Sequence, residues 1–385
     1  MKKIFLILSI LLLSGCWNYR ELNNLAITTG IAVDKAEEGI EITVMVANSQ
    51  KNSSGSSEVQ ASNAVYTGYG KTFYEAWKDA AMAVSKQIYI GHIEVVVISE
   101  EIAKDGMNQF IDFLFRYPQT RNDFYMVIAT NSKASDILKT TSPLDSISSQ
   151  NVAKNLEITN KLQGFIYTVK FNEFIDNLIT EGIEPVLPTI EIIGNTEEGN
   201  KEENIEQSQP ETYLKLEMLG IFKDDKLLTL ADKDSSKGIN IINNKVSTTG
   251  LIVEYNNGYV VSEVSSLKTD IKIEDKKIII NTRITASIEE ATTDVDLVNP
   301  NTIEEIKQKD IEEVKKLINS ALELNKKNKT DIFGFGEMYY KTYPKKWNEI
   351  KDYWTSEYLP NMEYEINVEI KLLTKGSINN GIEVD

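Results

Sequence analysis

The chain has 385 residues, with 41 Lys and Arg against 58 Asp and Glu, which gives a formal net charge of −17. Such an acidic chain is a poor candidate for binding nucleic acid or for lying flat on anionic lipid, because its own field repels phosphate. One cysteine and one histidine exclude an internal disulfide and a histidine-rich metal site. The sequence therefore predicts no cofactor, no metal and no nucleic-acid partner, in a chain long enough for two or three domains.

The N-terminus has the pattern of a secretory signal peptide over residues 1–15. A basic start is followed by an apolar run, Ile4–Leu13, and by Leu13-Ser14-Gly15-Cys16, which resembles the lipobox of bacterial lipoproteins. The run is about half the ~20 residues that cross a bilayer, which argues against an uncleaved anchor. A diacylglyceryl group on Cys16 would supply two acyl chains, enough for stable anchoring. We expect a mature chain that starts at Cys16, outside the cytoplasm, on the outer face of a membrane.

Residues 17–142 predict a first domain that mixes strands and helices. Its predicted elements are a hairpin over 25–48, a helix from Thr72, a strand over Ile93–Ile98, helical turns over 100–117 and a strand over Phe124–Ala129. Thr72-Phe73-Tyr74-Glu75 has the spacing of a capping box. Pro118 ends the helical turns, because the residue before a proline is pushed out of the α region. Residues 48–63 are polar and predict a surface loop.

Residues 143–247 predict a middle domain. Its expected elements are helices over 145–162 and 171–181 and extended segments over 186–193 and 213–222. Between the extended segments, residues 194–210 carry five glutamates and a single bulky apolar residue, Ile205. This composition predicts a solvated acidic linker.

Residues 248–385 predict a C-terminal domain in which an antiparallel sheet is covered by a long helix. Asn256-Asn257-Gly258 predicts a tight hairpin turn, since Asn-Gly supplies the positive φ angles that the turn needs. Residues 278–288 alternate apolar and polar as one long strand, and residues 366–372 form a last strand. Pro300 opens the helix. The whole mature chain is therefore predicted to be α+β, with three domains that each mix mainly antiparallel sheet with helices.

The sequence contains few residue patterns that are typical of a catalytic site. His92 is the only histidine, and its place beside a buried strand favours a structural role over a general base. Gly70-Lys71-Thr72 lacks the first glycine of a phosphate-binding loop, because position 65 is valine. Asp232-Lys233-Asp234 begins like a calcium loop, but Lys237 and Asn243 replace the required glycine and glutamate. We expect no enzyme activity; the enzyme alternative is a lipid-anchored cell-wall hydrolase.

A series of short motifs runs through the mature chain in order. Its members are Cys16–Asn23, Ile31–Asp34, Gly70–Ala76, Gly91–Glu101, Asp112–Arg116 with Arg121, Gly220–Leu227, Phe333–Gly336, Pro344, Trp347 and Trp354. This series resembles the Ger(x)C family, the lipoprotein C subunits of nutrient germinant receptors in endospore-forming bacteria. Two departures are Asn18, where the family has Asp, and Tyr117-Pro118-Gln119, where it has Asp-Pro-Glu.

The resemblance implies a three-domain receptor subunit without known catalytic activity, which acts with two integral membrane subunits. It also implies a location on the outer face of the cytoplasmic membrane, which becomes the spore inner membrane, with the diacylglyceryl cysteine as the anchor. The alternative binding class is the solute-binding lipoprotein of a transporter. That fold would show repeated strand–helix–strand units, whereas hairpins and one long late helix are predicted here.

Five residues are candidates for contact with a partner or the membrane. Trp17, Tyr19 and Arg20 follow the lipidated cysteine, where amphipathic aromatic side chains suit either a lipid headgroup layer or a partner's loops. Arg116 and Arg121 are basic residues in an acidic chain, and each could pair with a carboxylate inside the domain or on a partner. Should all five fail, Trp347 and Trp354 are the next candidates, seven residues apart on one predicted helix face.

Overall fold

The computed structural model describes residues 21–48, 62–145, 147–201 and 203–373. Cys16, Trp17, Tyr19 and Arg20 lie outside the described residues, as does most of the predicted loop over 48–63. The strands are β1 (Leu25–Lys35), β2 (Ile40–Ala47), β3 (Asn63–Gly70), β4 (Gln87–Tyr89), β5 (Val95–Ser99), β6 (Tyr125–Ala129), β7 (Val186–Ile193), β8 (Tyr213–Lys223), β9 (Lys226–Leu230), β10 (Thr249–Tyr255), β11 (Gly258–Glu274), β12 (Lys277–Ala291) and β13 (Glu363–Leu373). The helices are α1 (Phe73–Met82), α2 (Glu100–Asp105), α3 (Asn108–Arg116), α4 (Ala134–Lys139), α5 (Ser148–Leu162), α6 (Phe171–Ile179), α7 (Glu203–Glu206), α8 (Lys233–Ile242), α9 (Pro300–Asn328), α10 (Phe335–Thr342) and α11 (Pro344–Ile350).

Strands β1 to β9 form one sheet in the order β3-β2-β1-β5-β6-β7-β8-β9, with β4 beside the start of β1. The predicted hairpin is present as the antiparallel pair β1 and β2. The central pairings, from β1 through β5 and β6 to β7, are parallel. This sheet is therefore mixed rather than mainly antiparallel, because helical crossovers return the chain to the same edge before each central strand. The central strand β5 is buried over its whole length, as expected for a strand covered on both faces.

The same sheet continues past the predicted boundary at residue 142. Ile128 of β6 is in register with Thr189 of β7, so strands from both sides of that boundary are hydrogen-bonded neighbours. The acidic segment 194–210 is also held to the body, because the buried Asn204 side chain bonds to the backbone of Thr141 and Thr212. The limits of the three domains remain predictions about which parts fold independently.

Strands β10 to β13 form a second sheet in chain order. The turn between β10 and β11 is made by Asn256 and Asn257, with φ of 44° and 63°, while Gly258 already pairs with Tyr255. The two asparagines, not an Asn-Gly pair, therefore supply the left-handed conformations. The first three strands are antiparallel as predicted, but β13 is parallel to β12. The reason is that α9 and the short helices after it carry the chain back across the sheet before β13 begins.

Helix α9 begins at Pro300, as predicted, and Asn299 caps it by accepting a hydrogen bond from the backbone of Asn301 at 3.0 Å. It packs on β10, β13 and α8. The α+β class and the pairing of a C-terminal sheet with a long helix are thus confirmed. In the described ranges, every helix is either too short or too polar to span a bilayer.

Candidate functional site

Arg116 lies at the C-terminal end of α3, on the surface. Its Nε atom lies 2.6 Å from Oδ1 of Asp112, one turn earlier in the helix. Both side chains are largely exposed, at 76% and 63%. A pair this exposed contributes about 0–1 kcal/mol to folding. The pair with Asp112 therefore contributes little to the stability of the fold, and the Arg116 guanidinium stays accessible to solvent.

Arg121 lines a cavity of about 500 Å³ beside the starts of β5 and β6. Its Nη2 atom lies 3.1 Å from Oδ2 of Asp123, and this pair too is exposed. The cavity is lined by residues 91–94, by Arg121, Asp123 and Tyr125, by one face of α5 and by Lys170. The two loops meet because β5 and β6 are neighbouring parallel strands, whose N-terminal ends lie at the same edge of the sheet. We call this the N-terminal edge.

Tyr125 lies between a carboxylate and an ammonium group in this cavity. Its hydroxyl donates to Oε1 of Glu157 at 2.7 Å, and the Nζ atom of Lys170 lies 5.5 Å from the centre of its ring. Burial, together with the hydrogen bond to the Glu157 carboxylate, raises the pKa of Tyr125 to about 12, so the hydroxyl remains a donor at neutral pH. Within the described residues, neither Glu157 nor Lys170 forms an ion pair. The cavity therefore presents one carboxylate and one ammonium group that have no charged partner in this chain's described part.

Glu94 and His92 lie at the other side of the cavity. Gln150 donates to Oε1 of Glu94 at 3.2 Å, and burial raises the pKa of Glu94 despite that bond and the nearby Lys154 and His92. His92 itself is exposed, with its ring 5.8 Å from that of Tyr89, and is not packed in the core as a structural histidine would be. Across the described ranges, His, Cys, Asp and Glu side chains nowhere group in threes that could hold a metal ion.

A second polar cluster joins the first sheet to the C-terminal part of the chain. Asp331 is fully buried and accepts hydrogen bonds from the backbone of Phe335 at 3.0 Å and of Gly336 at 2.6 Å. The backbone of Glu184 donates to the Asp331 carbonyl oxygen at 2.9 Å, and the Glu184 carboxylate accepts from the Asp331 backbone and from Lys223. Burial and the nearby Glu184 charge raise the pKa of Asp331 to about 7. Residues 181–184 are called the joint loop below.

Trp347 and Trp354 are part of this cluster and not of the surface. Each is only 2% exposed, and their rings meet edge to face at 5.3 Å. They lie in separate elements, α11 and the irregular helical turns that follow it, so the predicted shared helix face is wrong. The indole nitrogen of Trp354 donates to Asp331, and that of Trp347 donates to Glu181 in the joint loop. Trp347 and Trp354 are therefore structural residues and not candidates for contact with a partner.

Reasoning from the sequence did not single out Glu157 or Lys170. Both belong to segments that were assigned to the middle domain, and Glu157 is 32 residues from the Tyr125 it contacts. Each is one charged residue among many on or near a helix. Only the order of strands in the sheet brings them to the same cavity as Arg121.

Two family models match this chain. Residues 18–192 match the spore germination protein N-terminal domain, and residues 217–376 match the spore germination B3/GerAC-like C-terminal domain. The acidic segment 194–210 falls between the two matches.

Similar proteins and a similar structure agree with these matches. The chain is 28% identical to spore germination protein KC of Bacillus subtilis, over 99% of this chain and 97% of that protein. It is 24% identical to spore germination protein GerQC of Bacillus cereus, over 97% and 98% of the two chains. The crystal structure of the GerBC protein has the same fold, with a TM-score of 0.53 at 14% identity over 89% of this chain and 97% of that one. Through its two family models, the chain belongs to the GerAC-like family of germinant receptor C subunits, proteins of spore germination.

Proposed function

We propose that this chain is a non-enzymatic, lipid-anchored subunit of a nutrient germinant receptor, which acts by contact with two integral membrane subunits. The observation that carries the proposal is the match to spore germination proteins over nearly the whole chain. The diacylglyceryl group on Cys16 holds the mature chain to the outer face of the cytoplasmic membrane, which becomes the spore inner membrane.

The leader supports the membrane attachment. Leu13-Ser14-Gly15-Cys16 has the lipobox pattern, and an anchored chain needs no spanning helix of its own. Trp17, Tyr19 and Arg20 then lie next to the lipid, within reach of the extracellular parts of a membrane partner. Arg116 and Arg121 are exposed cations on a chain of net charge −17, and they suit carboxylates of a partner.

The attachment is tested by labelling sporulating cells with a radioactive fatty acid. Cys16→Ala should abolish incorporation and release the protein from the membrane fraction, because no other cysteine is present. Ser9→Ala, in the apolar run of the leader, is the matched control and should be labelled normally. Equal labelling of the Cys16→Ala protein would show that the anchor is elsewhere.

The receptor role is tested by purifying the native complex from spore membranes and identifying what travels with this chain. Two integral membrane proteins in fixed proportion are expected, and deletion of this chain should abolish the response to one nutrient. Recovery of the chain without membrane partners would contradict the proposal. Release of muropeptides from spore cortex by the purified chain would instead indicate a hydrolase.

A further inference from the structure

In the cavity at the N-terminal edge, two side chains of opposite charge, Glu157 and Lys170, lie against the same aromatic side chain, Tyr125. Glu157 accepts from the Tyr125 hydroxyl at 2.7 Å, while the Lys170 ammonium lies over the ring of the same tyrosine at 5.5 Å. Neither charge has an ion-pair partner among the described residues, whereas Arg121 and Lys154 beside them are paired with Asp123 and Asp145. An unpaired cation and an unpaired carboxylate in one cavity of about 500 Å³ fit a ligand that carries both a negative and a positive group.

The position of the cavity points to the source of that ligand. Glu94 in the cavity wall donates its backbone N–H to the carbonyl of Thr29 in β1, at 2.8 Å. Leu25, where β1 begins, lies four residues before Thr29, about 13 Å further out at the strand rise of ~3.3 Å. The chain therefore enters the body at the edge where the cavity lies. Cys16 is nine residues before Leu25, a stretch that spans at most roughly 30 Å.

A lipid on Cys16 would therefore hold the cavity within about 43 Å of the membrane surface, so that the cavity can reach the lipid headgroups. The net charge of −17 opposes binding to anionic lipid, but it does not oppose a headgroup whose own charges cancel. A primary ammonium can also donate a hydrogen bond to Glu157, which a quaternary trimethylammonium group cannot do because it has no N–H. Both considerations select a headgroup with a phosphate and a primary amine.

We propose that this cavity binds the zwitterionic headgroup of a phosphoethanolamine lipid, with Lys170 at the phosphate and Glu157 at the ammonium. The proposal rests on the lipid anchor of the proposed function, because the anchor is what brings the cavity to the membrane. Binding there sets the orientation of the body on the membrane, with the N-terminal edge facing the lipid.

The test uses the mature chain with Cys16→Ser, so that any binding comes from the body and not from the acyl chains. Sedimentation with vesicles of phosphatidylcholine, alone or mixed with phosphatidylethanolamine or phosphatidylglycerol, should show binding that depends on phosphatidylethanolamine. Lys170→Gln and Glu157→Gln should each weaken it about tenfold, the factor expected for one charge-assisted hydrogen bond. Lys315→Gln and Glu312→Gln, exposed on α9 and matched in charge change, should bind like the parent.

Several results would overturn the proposal. Equal binding to all three vesicle types, tighter binding to phosphatidylglycerol, or loss of binding in the Lys315 and Glu312 controls would each do so. Calorimetry with glycerophosphoethanolamine and with inorganic phosphate distinguishes a membrane lipid from a soluble phosphate compound. Binding of either compound without binding to vesicles would exclude the membrane lipid as the ligand. A negative result leaves the receptor role intact, since co-purification with membrane subunits is measured independently on the lipidated protein.

Discussion

The indole nitrogen of Trp354 lies 2.8 Å from Oδ2 of Asp331, and both side chains are buried. The same carboxylate accepts the backbone N–H groups of Phe335 and Gly336, the first residues of α10. One buried acid thus caps a helix and holds the tryptophan that packs against it. Because the joint loop contacts the same residues, this acid also holds the C-terminal part to the first sheet.

Replacing Asp331 by Ala is expected to destabilise the chain strongly. Three buried N–H donors would lose their acceptor, at a cost of about 1–3 kcal/mol for each unsatisfied group, reduced where water enters. Urea unfolding of the mature Cys16→Ser chain measures this loss. Asp352→Ala, an exposed acid in the neighbouring turn, is the control and should change stability by less than about 0.5 kcal/mol. Similar values for the two variants would contradict the role of Asp331.

Gly182 in the joint loop is expected to tolerate no side chain. Its φ is +86°, and a Cβ there would lie 2.6 Å from the backbone nitrogen of Glu337. Gly182→Ala should therefore cost about 2 kcal/mol or more. Gly250→Ala is the matched control, since its φ is ordinary and its Cβ would meet only Val261 at 3.7 Å. Thermal melting compares the two, and equal melting temperatures would show that the joint loop shifts freely.

Asp310 is expected to make folding depend on pH. It is fully buried on α9, and in the described structure neither carboxylate oxygen forms a hydrogen bond. Burial raises its pKa from 3.8 to about 6, and the nearby Ser262 hydroxyl lowers it only in part. A pKa raised by folding means that the folded state binds the proton more tightly. The resulting stability is complete below about pH 4 and is lost as the pH rises through about 6.

Asp310→Asn removes this dependence because an amide does not ionise. The variant should be more stable than the parent by about 1–3 kcal/mol at pH 7.5, with the difference shrinking towards pH 4.5. Urea unfolding at a series of pH values gives the difference directly. Asp296→Asn, exposed before α9 and with the same change of charge, is the control and should change stability by less than about 0.5 kcal/mol. A constant difference across the pH range would show that packing, not charge, separates the Asp310 variant from the parent.

Arg116→Ala and Arg121→Ala are expected to weaken contact with a partner without changing the stability of this chain. Both pairs are exposed, so each variant should unfold within about 1 kcal/mol of the parent. Co-purification with the membrane subunits and nutrient-triggered germination should nevertheless fall. Arg283→Ala, an exposed arginine paired with Asp270 in the second sheet, is the matched control and should leave both unchanged. Intact complexes with Arg116 and Arg121 both replaced would place the contact surface elsewhere.

Local patterns in the sequence predicted local structure well. Thr72 caps α1 by accepting from the backbone of Glu75 at 3.2 Å, as the capping-box spacing indicated. Pro300 begins α9, and the alternating run from 278 lies in β12. Caps and periodicities depend on neighbours in the chain, which is why they are legible in the sequence.

Relationships between distant residues were not predictable in the same way. The pairing of β6 with β7 joins residues about 60 positions apart, and no local pattern specifies which strand lies beside which. The hydrogen bond of the Trp347 indole nitrogen, for example, goes to Glu181 in the joint loop, more than 160 residues earlier. The cavity at the N-terminal edge likewise depends on the order of strands in the sheet, because Glu157, Lys170 and Tyr125 come from three separate segments.

The position of β1 determines how the protein responds to a pull on its N-terminus. β1 is the first strand in the chain, yet it lies inside the sheet, paired with β2 on one side and with β4 and β5 on the other. Tension along β1 loads these two ladders in shear, so many hydrogen bonds must break together before the strand slides. A force acting across the strands would instead break the ladder bonds one at a time. Under the proposed lipid anchor, a body held at Cys16 would therefore resist unfolding from the attached end when its tether is pulled.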